Sequence, residues 1–287
     1  GRLPTVDLVP AGFVELLREA DVELVSSADL VTRFEARWSD ADRHAHRRAA
    51  AALAETARAA FEQAAAAAAE GRAPTEWALR RWILDRLANA GLHDADAIVA
   101  SGPRSADPHY EPSEERHGPI ERDAVLLIDL WGRAGPETVF ADQTWMGFTG
   151  ARPPDELARA WAAVRDARDA VIAHLRERWA AGASVRGCDL DRVARERLAA
   201  QGYADAILHR TGHSIDRELH GAGPNLDSYE TEDVRVLQPW TGMSVEPAVY
   251  RAGAFGIRSE VNVVLLPDGP EVTPAEPQRE LWTAPRR

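Results

Sequence analysis

Cysteine is almost absent from this sequence of 287 residues. The single cysteine, Cys188, lies in Arg-Gly-Cys-Asp-Leu and has no second cysteine in the chain with which to form a disulfide bond. A chain of this length can bury a large core, so folding does not require disulfide cross-links. One unpaired thiol is typical of a reducing compartment. We therefore expect a cytoplasmic protein in which Cys188 has no catalytic role.

Long apolar runs and excess positive charge are also missing. No run of about 18 apolar residues occurs, so no transmembrane helix is expected. The formal net charge is −12, and such a surface repels the phosphates of nucleic acids and anionic lipids. We expect a peptide or small-molecule substrate and no nucleic-acid or membrane partner. The chain begins Gly-Arg-Leu-Pro, without methionine or a signal-peptide pattern, which suggests a trimmed, tagged or fragmentary chain.

The periodicity of apolar residues predicts an α+β fold. Helices are expected at 39–71, 75–89, 154–181 and 190–201, with Ser39 and Gly71 capping the first. Strands are expected at 97–100, 124–130, 139–142, 207–209, 243–250 and 256–266, and residues 267–287 are expected to be mostly irregular. Two helices followed by strands occur twice. This order predicts an antiparallel sheet covered by helices, with a helix-helix-strands repeat.

Acidic residues stand beside several of the apolar segments predicted to be buried strands. Asp129 follows the apolar run 124–128, Asp142 follows Val-Phe-Ala, and Glu246 and Glu260 adjoin two further strands. An ionised carboxylate is costly to bury unless a cation or hydrogen-bond donors compensate it. Each acid alone could face water at a sheet edge. Four together are better explained by a pair of divalent metal ions, for which carboxylate and histidine are suitable ligands.

Histidines form the second group of candidate residues. His209 and His213 lie in His-Arg-Thr-Gly-His, and His220 follows seven residues later. Glycine between them allows the backbone to approach a ligand closely. His109 comes earlier, after a loop rich in Ser, Gly and Pro. A lone histidine is usually a surface or core residue, whereas three within twelve positions indicate a functional cluster.

The four acids, His209 and His213 fall within five motifs that resemble, in order, those of the pita-bread metallopeptidases. This family includes Xaa-Pro aminopeptidases, prolidases, methionine aminopeptidases and the metal-free creatinase. The matching motifs are Leu127-Ile128-Asp129, Asp142-Gln143-Thr144, His209-Arg210-Thr211-Gly212-His213, Gly242-Met243-Ser244-Val245-Glu246-Pro247 and Gly256-Ile257-Arg258-Ser259-Glu260. An ordered match of five motifs has a far lower false-positive risk than any one of them. The resemblance implies a pita-bread fold with a pseudo-two-fold repeat.

The resemblance also implies a metal site with defined ligands. Asp129 would bind one metal ion, Asp142 and Glu260 would bridge two, and His213 and Glu246 would complete the shell of the other. Manganese is the first expectation for both ions, with cobalt, zinc or iron as alternatives. The resemblance implies hydrolysis by a metal-bridging water whose pKa the two cations lower. Glu246 would be the general base that takes its proton.

Other matching positions imply roles on the substrate side. His220 matches a histidine that contacts the scissile carbonyl or the tetrahedral intermediate. His109 matches one near the substrate amine or leaving group. His209 and Arg258 resemble residues that bind substrate or support the ligands, and Thr144 would orient a ligand carboxylate. Two departures concern the pocket, because Trp240 and Ala248 stand where relatives usually have glycine.

The histidine motif resembles the Xaa-Pro branch of the family, so a peptidase that cleaves Xaa-Pro bonds is the leading hypothesis. In this interpretation residues 39–287 are the catalytic domain, and residues 1–38 are a linker left from a missing N-terminal domain. A homodimer stays open. The alternatives are a hydrolase of the same fold acting on a non-peptide amide, an amidine or a specialised metabolite, and a non-catalytic binding module.

Overall fold

The computed structural model describes residues 3, 6–69, 72 and 74–284. Its α-helices are α1 (Ala11–Glu19), α2 (Ala28–Phe34), α3 (Asp40–Ala69), α4 (Glu76–Asn89), α5 (Asp155–Ala180) and α6 (Gly187–Ala199). Its strands are β1 (His93–Ser101), β2 (Val125–Arg133), β3 (Phe140–Phe148), β4 (Ser214–Ile215), β5 (Gly242–Val245), β6 (Ala248–Arg251), β7 (Phe255–Arg258), β8 (Val261–Leu266), β9 (Gly269–Thr273) and β10 (Trp282–Thr283). Gly71, the predicted cap of α3, and the last three residues of the chain, 285–287, lie outside the described residues.

Within the described residues the strands form two four-stranded sheets and one hairpin. The first sheet has the order β1-β2-β3-β10, the second β4-β5-β8-β9, and the hairpin is β6-β7. All neighbouring strands are antiparallel except β10, which pairs parallel to β3. Two helices precede each sheet along the chain, namely α3 and α4, then α5 and α6. This confirms the predicted α+β class and the helix-helix-strands order in both halves.

Helix α3 covers the first sheet with a face made largely of alanine. Ser39 caps the helix reciprocally with Asp42: the Ser39 hydroxyl accepts from the Asp42 amide at 3.1 Å, and the Asp42 carboxylate accepts from the Ser39 amide at 2.9 Å. Buried alanines such as Ala57 and Ala60 pack in one cluster with Ile128 of β2. Small side chains let the helix approach the sheet closely.

The strands predicted at 124–130 and 139–142 end too early, by three and six residues. Strand β2 continues past Asp129 to Arg133, and Asp142 is the third residue of β3 rather than the last of a strand. The two strands stay paired along their whole length, with Asp129 opposite Thr144 and Trp131 opposite Asp142. Backbone pairing extends the strands through the polar positions, because the carboxylates there are buried against the second sheet instead of facing water.

The prediction of a strand at 207–209 was wrong, whereas the tail, described to residue 284, is mostly irregular as predicted apart from the short strands β9 and β10. The segment 207–209 is not a strand, because the Arg195 guanidinium, rather than a neighbouring strand, donates to the His209 carbonyl at 2.7 Å. The tail contains β9, an edge strand whose Pro270 is tolerated because one side of an edge strand has no partner. Ion pairs from Arg43 and Arg47 to Glu271 attach β9 to α3.

Asn262 joins the two sheets. Its side-chain oxygen accepts from the Asp142 amide at 2.9 Å, and its side-chain nitrogen donates to the Asp142 carbonyl at 2.7 Å. The Glu260 amide also donates to the Thr144 carbonyl at 3.3 Å. These contacts bring β3 of the first half against β8 of the second.

None of the helices in the described part of the chain combines the length and the apolar character that a membrane span needs.

Trp240 adopts a backbone conformation that favours glycine. Its φ is +68°, in the left-handed region that side chains with a Cβ rarely occupy. Hydrogen bonds hold it there: the Trp240 amide donates to the Leu265 carbonyl at 2.6 Å, and the Trp240 carbonyl accepts from the Trp38 amide at 2.6 Å. The left-handed backbone conformation at this position explains why the resemblance leads one to expect glycine here. The indole packs against the cluster that contains Trp38.

Replacing Trp240 with glycine or with alanine separates the backbone effect from the packing effect. Both variants lose the indole contacts, but only alanine keeps a Cβ in the left-handed conformation. We expect Trp240→Gly to be more stable than Trp240→Ala by about 1 kcal/mol, as measured by equilibrium unfolding in urea. An alanine variant at least as stable as the glycine variant would contradict the assigned strain.

Candidate metal centre

The hairpin of β2 and β3 places three polar side chains on one face. Asp129 lies directly opposite Thr144, and Asp142 lies opposite Trp131, which is two residues from Asp129. Side chains two apart on a strand point to the same face, and so do directly opposed residues. Asp129, Asp142 and Thr144 therefore project together. All three are buried.

The second sheet supplies the other candidate ligands. His213 directly precedes β4, Glu246 directly follows β5, and Glu260 directly precedes β8. Strand β5 pairs with both β4 and β8, so the three side chains emerge from neighbouring strands. Because Asn262 of β8 binds the backbone of Asp142, this group faces the β2–β3 hairpin directly.

The five predicted ligand residues converge on one buried site. Atoms of Asp142, His213 and Glu260 that can bind a metal lie within 4.8 Å of one another. The His213 Nε2 atom is 3.5 Å from an Asp142 oxygen and 3.3 Å from a Glu246 oxygen. Asp129 is linked to Glu260 by Thr144, whose hydroxyl is 3.0 Å from an Asp129 oxygen and 2.9 Å from a Glu260 oxygen.

The hydrogen bonds of His213 leave one ring nitrogen available for a metal. Its Nδ1 atom donates to the Ser214 carbonyl at 3.0 Å, which leaves the lone pair on Nε2 facing the acids. The Ser244 hydroxyl accepts from the His213 amide at 2.9 Å and donates to Glu246 at 3.0 Å. Backbone and side chains thus orient both residues towards the same point.

Arg258 is closely paired with one of the predicted ligands. Its guanidinium binds an Asp129 oxygen through Nη2 and donates to the Thr144 hydroxyl at 2.8 Å through Nε. The contact compensates part of the negative charge of the site. Arg258 lines the pocket next to Glu246, and its role in binding substrate stays a prediction.

The electrostatics of the site fit a bound cation. Burial, followed by repulsion from Asp142 and Glu246, raises the pKa of Asp129 to about 7, although Arg258 opposes this. Burial and the neighbouring acids also raise the pKa of Glu260 well above its usual value. One buried oxygen of Asp142 and one of Glu260 have no hydrogen-bond partner. Such oxygens are costly to bury, and a divalent cation would compensate both of them.

Substrate-side candidates surround an adjoining cavity of about 460 Å³. His109, His209 and His220 line it together with His213 and Glu246. The rings of His213 and His220 are 4.3 Å apart between centroids. His209 is fixed by a 2.9 Å contact between its Nε2 and the Tyr250 hydroxyl. The structure thus gathers the predicted histidines around one opening.

Sequence reasoning missed two charged residues of this cavity. Arg210 and Glu230 both line it, and they form an ion pair at 3.6 Å. Arg210 stands inside the histidine motif, so its neighbours in sequence could have indicated its place. Glu230 lies in an irregular segment, and its proximity depends on a chain reversal that periodicity does not reveal.

Comparison with known proteins identifies the family. A profile of metallopeptidase family M24 matches residues 43–266, which is most of the chain. The chain belongs to metallopeptidase family M24. The predicted pita-bread fold is therefore confirmed. Family membership also makes divalent-metal binding the expected property of the cluster formed by Asp142, His213 and Glu260.

Individual relatives are peptidases by name. The chain is 29% identical over 180 residues to the probable dipeptidase PepE of Mycobacterium bovis, covering 61% of this chain and 43% of that protein. It is 29% identical over 200 residues to an Xaa-Pro dipeptidase of Pyrococcus furiosus, covering 70% of this chain and 53% of that protein. The chain thus spans about half the length of the curated relatives it matches.

A solved structure extends the similarity over nearly the whole chain. The X-Pro aminopeptidase from Thermotoga maritima superposes with a TM-score of 0.76 at 26% identity. The alignment covers 96% of this chain and 72% of that one. The structural similarity therefore extends beyond residues 43–266, the range that the family profile matches.

Metal affinity is expected to rise with pH around neutrality. Asp129, with a pKa of about 7, and Glu260, with a raised pKa, hold protons at pH values where ordinary carboxyls are ionised. A cation must displace those protons, so affinity falls as pH falls and rises as pH rises through about 7. Calorimetric titration of metal-free protein with Mn²⁺ in matched buffers on either side of about pH 7 measures the change. Equal affinities would contradict the competition between protons and metal.

Removing Asp142 is expected to abolish metal binding. Its carboxylate belongs to the tight group and carries one of the oxygens without a partner. Metal analysis of Asp142→Ala after reloading should show loss of the bound ions, together with loss of any hydrolytic activity. Glu276→Ala, at a side chain 89% exposed, is the matched control and should keep both. An Asp142→Ala protein with a full metal complement and full turnover would refute the assignment.

Proposed function

We propose that this protein is a dinuclear metal-dependent peptidase that cleaves Xaa-Pro bonds, as an aminopeptidase or a dipeptidase. The observation that carries the proposal is the largely buried group of Asp142, Glu246 and Glu260 around His213, with one oxygen of Asp142 and one of Glu260 that have no hydrogen-bond partner. Asp129 is linked to this group through Thr144. Membership of family M24 and relatives named Xaa-Pro dipeptidase support the reaction class.

The ligand assignment distributes the five residues over two cations. Asp129 would hold one ion, His213 and Glu246 the other, and Asp142 and Glu260 would bridge them. Manganese is the proposed ion at both positions, because oxygen-rich ligand sets with one imidazole suit it. When bound, the cations would supply an activated water and stabilise the negative charge that develops on the substrate.

Glu246 is the proposed general base. Burial alone would raise the pKa of Glu246, but the neighbouring His213 and Arg258 outweigh this effect and keep the pKa below its usual value. The carboxylate is therefore ionised at neutral pH and able to accept a proton. The hydrogen bond from the Ser244 hydroxyl fixes one carboxylate oxygen of Glu246. The other oxygen is then free to accept a proton in the cavity that Glu246 lines.

His220 and His109 are the proposed contacts to the reacting amide. Burial, together with the nearby His213 and Arg210, lowers the pKa of His220. A neutral imidazole keeps one N–H donor, which suits the carbonyl oxygen of the scissile bond. His109 lies on the wall of the same cavity and is proposed to contact the substrate amine or leaving group. His209, fixed by Tyr250, and Arg258 complete the proposed substrate-binding wall.

A hydrolase of the same fold acting on a non-peptide amide or amidine is the second candidate. The Arg210–Glu230 ion pair at the cavity favours it, because a strongly polar wall suits a charged small molecule as well as a peptide. Apolar lining comes from Pro108 and Leu208. This candidate uses the same metal centre and differs only in substrate.

Metal reconstitution followed by peptide assays tests the proposal. The protein is stripped with a chelator, reloaded with Mn²⁺, Co²⁺, Zn²⁺ or Fe²⁺, and assayed on Ala-Pro, Met-Ala and longer Xaa-Pro-Xaa peptides. We expect two bound ions per chain, cleavage of Xaa-Pro bonds, the highest turnover with Mn²⁺, and no activity on Met-Ala. Two bound ions without peptide cleavage would refute the peptidase and favour the second candidate.

A further inference from the structure

A fully buried glutamate stands at the start of helix α4. Glu76 is the first residue of the helix and has no exposed surface. Its carboxylate accepts from the Ser101 amide at 2.6 Å, the Gly118 amide at 2.7 Å, the Arg104 Nε at 2.7 Å and the Tyr110 hydroxyl at 2.6 Å. Four donors compensate one buried carboxylate, which makes its burial tolerable.

The four donors enclose the segment that carries His109. Ser101 ends β1, Arg104 lies in the following 3₁₀ turn, Tyr110 is adjacent to His109, and Gly118 closes the segment. One side chain thus contacts this irregular stretch at both ends and in the middle. Hydrogen bonds to a charged acceptor are stronger than those between neutral groups, so the carboxylate is well suited to hold a loop without regular secondary structure.

Close packing around Glu76 leaves little freedom for alternative arrangements. A Cβ at Gly118 would lie 2.2 Å from the Arg104 guanidinium carbon, so this position accepts only glycine without movement of Arg104. Burial and the bond to Glu76 raise the pKa of the Tyr110 hydroxyl, which keeps the phenol protonated as a donor. On its other side the segment docks on β7, where the Ser105 hydroxyl accepts from the Gly256 amide at 2.8 Å.

The second half of the molecule contains a comparable carboxylate. Asp191 of helix α6 is also fully buried. It accepts from the amide and hydroxyl of Thr211 at 2.9 and 2.6 Å, and from the amide and hydroxyl of Ser228 at 2.8 and 2.6 Å. Arg195 donates to it at 2.8 Å, as Arg104 does to Glu76. In both halves, a buried acid on the second helix fixes a loop that carries histidines.

We propose that Glu76 is a positioning residue that holds segment 101–118 so that His109 faces the metal centre. Glu76 does not line the cavity, whereas His109 does, so any effect on the reaction passes through the segment. The functional part of this proposal rests on the proposed peptidase activity and on the role of His109 in it. The holding part rests on hydrogen bonds alone and can be tested without a substrate.

Hydrogen exchange tests the holding part. In Glu76→Gln two donors face an amide nitrogen instead of an acceptor oxygen, so amides of segment 101–118 should exchange at least about tenfold faster. Tyr110→Phe removes one hydrogen bond to Glu76 and keeps the buried ring, so it should give a smaller increase in the exchange rate. This variant replaces Glu76→Gln in the experiment if Glu76→Gln does not fold. Glu55→Gln, which alters an exposed glutamate paired with Arg86, is the matched control and should change nothing there. Unchanged exchange in a folded Glu76 or Tyr110 variant would overturn the proposal.

A double-mutant cycle tests the functional part. Misplacing a catalytic contact by about 1 Å can reduce the rate by about 100-fold. We therefore expect Glu76→Gln to lower kcat/KM on Ala-Pro by about 10- to 100-fold with unchanged metal content. In a His109→Ala background, the same change should have little further effect. An equal loss in both backgrounds would show that Glu76 does not act through His109.

The two arms distinguish failure of this proposal from failure of the proposed function. Faster exchange in a protein that binds metal but cleaves no Xaa-Pro peptide would support the holding role and refute the peptidase. Unchanged exchange in a protein with full peptidase activity would refute the holding role and leave the peptidase intact.

Discussion

Mutual repulsion among buried carboxylates is the constraint on which this structure depends. Asp129, Asp142, Glu246 and Glu260 lie in one site, and burial together with repulsion from the neighbouring acids raises the pKa of Asp129 and that of Glu260. Arg258 offsets one negative charge by pairing with Asp129. Asp142 and Glu260 each keep one buried oxygen without a hydrogen-bond partner, which a bound cation or a bound proton would compensate. Metal binding and protonation are therefore two ways of compensating the negative charge of these buried carboxylates.

The fold meets this constraint by placing the acids on paired strands. Strand register fixes Asp129 opposite Thr144, and the side-chain amide of Asn262 attaches the backbone of Asp142 to the second sheet. A hydrogen-bonded ladder holds side chains more rigidly than a loop does, because neighbouring strands restrain every residue. The candidate metal centre thus lies on and directly beside paired strands, with Glu260 tied to Thr144 by both backbone and side chain.

The candidate ligand residues could be predicted from the sequence, whereas the residues that contact them could not. Acids inside apolar runs and closely spaced histidines are local signals, and the structure brings these residues together. The pairing of Arg258 with Asp129 joins residues 129 positions apart, and no local pattern indicates it. The strand predicted at 139–142 was too short because the polar Asp142 was taken as its end, and the strand predicted at 124–130 stopped three residues short of Arg133. Strand β9 was missed because an edge strand tolerates proline, which ordinarily signals irregular structure.

The substrate side of the site follows a different construction principle. His109 and His220 lie on loops, and buried acids hold the loops in place of a strand ladder. Glu76 binds the segment around His109, and Asp216 accepts from the Glu218 and Ala222 amides at 2.8 and 2.7 Å on either side of His220. Loops held by single side chains can change length and sequence while the strands keep the proposed metal ligands in register. If the proposed roles hold, substrate preference would change through these loops and their buried acids, without any change in the candidate metal centre.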